Sequence, residues 1–155
     1  MSFSQVKSVV ENSALPMEII IHGSTESMVS EHNLISFYYP NYNEFATPEI
    51  LNKHFALVDT AGEIHSIRVD QFNYNHIYFG KDLCLLPYIE KFMGAAALRI
   101  EAQDYSPEVV AQVTKIYRAA IDGKNFDADF DELKKIAPRK LGSGVYKFKE
   151  SKNSI

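Results

Sequence analysis

The stretch KDLCLLPYIEKFMGAAALRIEAQDYSPEVVAQVTKIYRAAID, Lys81–Asp122, decides how this chain is read. Leu85, Leu86, Ile89, Phe92 and Met93 recur at helical spacing, and Gly94 closes that helix as a residue without Cβ does well. Ala97–Glu101 is a short strand of alternating apolar side chains that ends on a carboxylate. Ser106-Pro107-Glu108 then supplies a cap hydroxyl, a proline at the first helical position and early negative charge. Val109, Val110, Val113, Ile116, Tyr117, Ala120 and Ile121 give the second helix one apolar face, which runs out near Gly123. Helix, strand and helix so placed are one step of an α/β protein. In such folds chemistry collects just after the strand, here at Glu101 to Tyr105.

Working outward, Ser2 or Ser4 can cap a first helix that reaches about Asn12, with Phe3, Val6, Val9 and Val10 on one side. Met17–His22 is a nearly continuous apolar run, the signature of a strand covered on both faces, and Gly23 allows a tight exit. This strand and Ala97–Glu101 read as two parallel strands of one sheet. The intervening residues 24–80 are too many for a crossover and must form a substructure of their own. Within it, Phe55–Asp59 and Ile64–Val69 flank a glycine-containing turn and read as a β-hairpin, while Asn41–Pro48 reads as a polar surface loop. Asp129–Ala137 suggests a short helix stopped by Pro138, and Leu141 to Phe148 a loop with a terminal strand.

The chain has 155 residues, 46% hydrophobic and 23% charged, with a net charge of −4. That suits one domain with a real core and offers nucleic acid no overall electrostatic footprint. The basic residues Lys134, Lys135, Arg139, Lys140, Lys147, Lys149 and Lys152 read as a solvated face. One cysteine excludes an internal disulfide framework and an all-cysteine zinc site. No apolar run approaches the roughly 20 residues of a spanning helix and no signal peptide opens the chain, so a soluble cytoplasmic protein without membrane contact is expected. No internal repeat is apparent. Polar residues gather at loop ends: His22, Glu26, Glu31, His32, Asp70, His76, Asp82, Arg99 and Glu101. None has the spacing of a metal motif, and Gly142-Ser143-Gly144 is too short to cradle a phosphate.

Three stretches carry a resemblance. Lys81-Asp82-Leu83-Cys84, Leu98-Arg99-Ile100-Glu101 and Ser106-Pro107-Glu108 followed by Tyr117-Arg118-Ala119-Ala120 are similar to the "KDLC", "SLRIEGR" and "SPEYVA…VYREALD" runs of the collagenase-like peptidase family U32. Met28-Val29-Ser30-Glu31-His32 repeats the "MVSEHC" of some branches except its cysteine, and Glu18, Gly23, Ser24, Ile35 and Ser36 fall into register with the family signature. Phe55-Ala56-Leu57-Val58-Asp59, Asp70-Gln71-Phe72 and His76-Ile77 match "YALVD…TDQFC…HI". The resemblance runs from about Phe3 to Lys149, and it implies the end of a longer chain whose earlier part builds most of a barrel. The expectation is therefore an α/β fold: a partial (βα)-barrel-like unit with two parallel strands, flanking helices and an inserted β-hairpin. It would form a single domain over 1–155, with the insertion at about 24–80.

The resemblance also implies what is lost. Branches that hydroxylate RNA or quinone hold an iron–sulfur cluster on cysteines, and those positions fall on Glu26, Asn33, Ile50 (or its neighbour Glu49), Asn73 and Cys84. Only the last is a thiol, and a cubane wants about four, so no cofactor and no metal are expected. The Gly-Arg that follows the strand glutamate in the family is Ala102-Gln103 here, which removes a cation suited to a carboxylate or phosphate. His22, Arg99 and Glu101 remain as candidate catalytic residues. The reading is a degenerate, non-catalytic fragment or subunit that works by association with itself or with a partner supplying barrel strands. The alternative is an active peptidase, or part of an RNA-modifying hydroxylase, for which nucleic acid would be the partner.

Overall fold

The structure, a computed structural model, describes residues 2–32, 34–35, 54–124 and 127–146. The expected loop at Asn41–Pro48 lies outside them. The fold is mixed α/β and divides into two units, one made of residues 1–24 with 81–155 and the other of residues 25–80.

The first unit opens with helix α1, Phe3–Asn12. Its start is a reciprocal capping box: the Gln5 amide donates to the Ser2 hydroxyl and the Ser2 amide to the Gln5 side chain, which satisfies two otherwise orphaned donors. Strand β1 is Glu18–Gly23. It pairs in parallel with strand β7, Ala97–Glu101, as the sequence led one to expect. Gly23 sits at φ +105°, and a Cβ there would come within 1.9 Å of the Glu101 carbonyl oxygen. Only glycine lets the two strand ends meet so closely. Helix α2, Pro107–Ile121, is capped by Ser106 and buries Val113, Ile116, Tyr117 and Ala120, a stripe at i, i+3, i+4 and i+7. Helix α3 spans Asp127–Ile136.

One segment adds to the expected elements and one differs from them. Asp82–Cys84 is strand β6, antiparallel to β1 and parallel to the two-residue strand β8, Leu141–Gly142. The sheet is thus mixed, in the order β7-β1-β6-β8. The following segment is not the expected α-helix. Leu86–Phe92 is a 3₁₀ helix with Pro87 in its first turn and no side-chain cap. Its buried residues are Leu86, Ile89 and Phe92, a spacing of three that stacks on one edge at three residues per turn. These side chains join Val6, Ile21, Leu85, Val113, Tyr117 and Leu133 in one core, where each fully buried aliphatic side chain contributes roughly 1.5–3 kcal/mol.

The second unit is an antiparallel sheet in the order β2-β5-β4-β3. Its strands are β2, Glu26–Ser30, β3, Phe55–Val58, β4, Ile64–Val69, and β5, Asn75–Tyr78. The expected hairpin is β3–β4, and the structure adds β5 and β2 beside it. Its core is small: Ile35, Ile67, Val69 and Ile77, with Leu34 and Phe55 against them.

The turns before β4 and before β5 use one device twice. The Asp59 carboxylate accepts from the amides of Ala61 and Glu63, and the Asp70 carboxylate from those of Phe72 and Tyr74. In each turn the aspartate amide donates to the carbonyl four residues on, and the residue three on is left-handed: Gly62 at φ +80°, Asn73 at φ +70°. Glycine and asparagine are the residues that tolerate this region. The second carboxylate oxygen then meets a histidine six residues on, His65 or His76, at 3.3 Å in both cases.

Neither sheet closes on itself, so there is no closed barrel among the described residues. No helix among them is long and apolar enough to cross a membrane.

Candidate functional site

The polar centre of the first unit is His22, on β1. Register between β1 and β7 slips by one residue between Ile20 and His22, a bulge that re-aims the side chains beyond it. His22 is fully buried, with Tyr105 and Tyr117 packed edge-on against its ring. The Tyr105 hydroxyl lies 3.2 Å from Nε2 and donates to Asp82 Oδ2 at 2.8 Å. Arg139 Nε binds the other Asp82 oxygen at 2.8 Å, and its Nη2 reaches Asp104 at 3.2 Å. On the far side of the ring, the Tyr117 hydroxyl is 3.3 Å from Nδ1, 3.1 Å from the Ile21 carbonyl and 3.6 Å from Cys84 Sγ.

Tyr105 gives its one proton to Asp82 and Tyr117 donates to the Ile21 carbonyl. Both phenol oxygens can therefore accept from the ring, and neutral His22 donates to one of them, through Nε2 to Tyr105 or through Nδ1 to Tyr117. The Cys84 thiol can donate to the Tyr117 oxygen. Burial lowers the His22 pKa to about 4 against the opposing pull of Asp82, so the ring is neutral near pH 7. Burial also pushes the Cys84 thiol up, and it pushes up the Tyr105 and Tyr117 phenols, each helped by a hydrogen-bonded neighbour. The network joins β1, β6, the loop after β7, α2 and the segment after α3. His22, Asp82 and Cys84 have no exposure to solvent. Its hydrogen bonds run between groups of the network itself, which makes an internal brace.

Arg99 and Glu101 lie elsewhere on β7. Arg99 Nη2 is 2.8 Å from Glu101, and its Nε is 3.3 Å from Glu18 on β1. The arginine is about half exposed. The three sequence candidates therefore form two sets, a buried His22 network and a surface Glu18–Arg99–Glu101 ladder. Asp82 was among the polar residues noted at loop ends. Tyr105 closes the stretch singled out after the strand, whereas Tyr117 read only as part of an apolar face. Arg139 read as one of several solvated cations. It is the burial of the Asp82 carboxylate, not shown by the sequence, that turns Arg139 inward.

The second unit has its own polar group. His76 Nδ1 is 2.5 Å from Glu26 and Nε2 is 3.3 Å from Asp70. Partial burial pulls the His76 pKa down, but hydrogen bonds and charge from Glu26 and Asp70 overrule it and the net shift is upward. The two carboxylates sit on opposite nitrogens of one ring, so the three residues do not converge on a point. No group of three or more His, Cys, Asp or Glu among the described residues is placed to hold a metal.

The positions at which the family resemblance implies cluster cysteines are poor hosts. Glu26 is engaged by His76, Asn73 is the left-handed residue of a turn, and Cys84 is buried against Tyr117. Asn33 and Ile50 lie outside the described residues. One cysteine in 155 residues does not fit a group that takes about four thiolates.

Comparison with known proteins gives two findings. The sequence profile of peptidase family U32 matches residues 1–155. The tRNA hydroxylation protein P2 of Bacillus subtilis (strain 168) is 26% identical over 166 residues, which cover 97% of this chain and 53% of that protein. The chain thus spans about half the length of this curated relative. No solved structure matches.

Proposed function

This chain belongs to peptidase family U32, and from that premise we propose that it is a non-catalytic member that works by association. The associate would be a second copy or a polypeptide that extends its first sheet as part of a (βα)-barrel-like unit. The observation that carries this reading is the place of β7. It is a parallel strand at the end of the order β7-β1-β6-β8, with a neighbour on one side only among the described residues. Parallel strands are ordinarily flanked and covered, and an open edge is a template for another strand. The His22 network supports the non-catalytic half, since its histidine, thiol and Asp82 carboxylate have no exposure to solvent. The lone buried thiol supports a cluster-free protein.

Size-exclusion chromatography with light scattering tests this, on protein purified with and without air and with iron, sulfide and zinc quantified on the same peak. A metal-free dimer, or a metal-free complex with a second polypeptide, is expected. A monodisperse monomer at micromolar concentration would count against association, and stoichiometric iron would return the enzyme reading.

The similarity to a tRNA hydroxylation protein favours a second, narrower reading, in which the associate belongs to an RNA-modifying assembly. RNA that co-purifies and is released by added salt would support it. A complex free of nucleic acid at low salt would not.

A further inference from the structure

A groove of about 340 Å³ opens between α1 and the 3₁₀ helix, lined by Phe3, Val6, Val10, Ile19 and Phe92 with Gly94 at its lip. Its floor is apolar: Val6, Ile19 and Phe92 are buried. Two aromatic rings, Phe3 and Phe92, meet edge-on at 5.3 Å in its wall. Ligand pockets run from roughly 300 to 1,000 Å³, so this one suits a small molecule. The rim is charged. Lys7 and Glu11 are paired with each other along α1 at 3.6 Å. Glu90 and Lys91, both exposed, are not so spent. Glu90 has no ion-pair or side-chain hydrogen-bond partner among the described residues, and the Lys91 ammonium has none beyond the Phe3 ring, whose centroid is 5.6 Å away.

We propose that this groove binds a small zwitterion with an aromatic or branched apolar side chain, an α-amino acid or a molecule like it. The side chain lies on the floor of Val6 and Ile19 against the Phe3–Phe92 wall, where burying apolar surface contributes roughly 25 cal/mol per Å². The ammonium of the ligand meets Glu90 and its carboxylate meets Lys91. An adjacent carboxylate and ammonium beside an aromatic-walled floor match that charge pattern, and they match neither a simple anion nor a simple cation.

Gly94 gives a clean test, because its backbone is not left-handed and a Cβ there would lie 3.7 Å from Val10 Cγ1, an ordinary contact. Gly94→Leu therefore fills the groove from its lip. Amide chemical shifts of the full chain are followed on titration with L-phenylalanine and L-leucine, and with N-acetyl-L-phenylalanine amide as the uncharged counterpart. Saturable shifts confined to residues 3–11, 19 and 90–94 are expected. The uncharged probe should bind at least threefold more weakly, and Gly94→Leu should abolish the shifts. Glu90→Gln and Lys91→Gln, both on exposed residues, should each weaken the free amino acids about threefold, the scale of one exposed ion pair, and leave the uncharged probe unchanged. The proposal is overturned if neither amino acid gives saturable shifts, if the uncharged probe binds equally well, or if Gly94→Leu binds as before. Should Gly94→Leu misfold, the two rim variants decide by the same criterion.

Discussion

His22 and His76 are the same residue in two solvents. His22 lies in the first unit among two phenols, a thiol and a carboxylate already held by Arg139, and its pKa falls to about 4. His76 lies in the second unit between two carboxylates, partly open to water, and its pKa rises. Both have an acidic neighbour within reach, so the presence of a carboxylate does not set the sign. What differs is how far water is excluded and whether the carboxylate's charge is already spent. A fully desolvated ring stays neutral even near Asp82, whereas a ring with some water and two counter-charges is held towards its charged form.

The strongest way to break the contrast is to free the Asp82 charge. Arg139→Met leaves a carboxylate with no solvent exposure and without its cation. Such a loss costs about 3–5 kcal/mol, to be read as a lower urea midpoint at unchanged slope. With Asp82 unpaired, the His22 ring should also titrate higher, visible in its NMR signals.

Acid is the next lever. A ring whose pKa falls from 6.5 unfolded to about 4 folded binds fewer protons in the native state, so stability is full above 6.5 and declines as pH falls from 6.5 to 4. The loss over that window is about 3 kcal/mol. Urea midpoints between pH 7 and pH 4 should show it, and His22→Phe should flatten the slope even if it lowers the plateau.

Tyr117→Phe sharpens the comparison from the other side. It removes the hydroxyl shared by Nδ1, the Ile21 carbonyl and Cys84 while keeping the ring, and should cost about 1–2 kcal/mol in the same denaturation experiment.

The smallest effect is expected at His76. Its raised pKa means that its contribution is complete below 6.5 and is lost as pH rises through the folded value, a slope opposite in sign to that of His22. Because the group and its partners are partly exposed, the amount is no more than about 1 kcal/mol. His76→Gln should remove the alkaline slope and leave the acid slope untouched.

Much of the frame was legible because it rests on local chemistry. Ser2 and Ser106 announce helix starts, Gly123 an end, and the apolar run before Gly23 a covered strand. What escaped depends on other parts of the chain. Asp82–Cys84 is too short to show a period, and it is a strand only because β1 and residues 141–142 lie on either side. The segment Leu86–Phe92 satisfies a spacing of three as well as one of 3.6, and Pro87 with no cap tips it to the tighter helix. At the site, His22 was noted, but no local signal tells Arg139 from the lysines around it. The hydroxyls of Tyr105 and Tyr117 matter only once a histidine has been placed between them.

The twin aspartate turns bear on the order in which the chain acquires structure. Each closes within seven residues, so β3, β4 and β5 can find their register from neighbours in sequence, at the microsecond pace of hairpins. The pairing of β1 with β7 joins Glu18 to Ala97, and a loop of that length raises the contact order and slows the search. Pulse-labelled hydrogen exchange during refolding should find amides of β4 and β5 protected before those of β1 and β7; the reverse order would deny the turns this role. The middle of the chain is then a head start, folding while its two ends are still looking for each other.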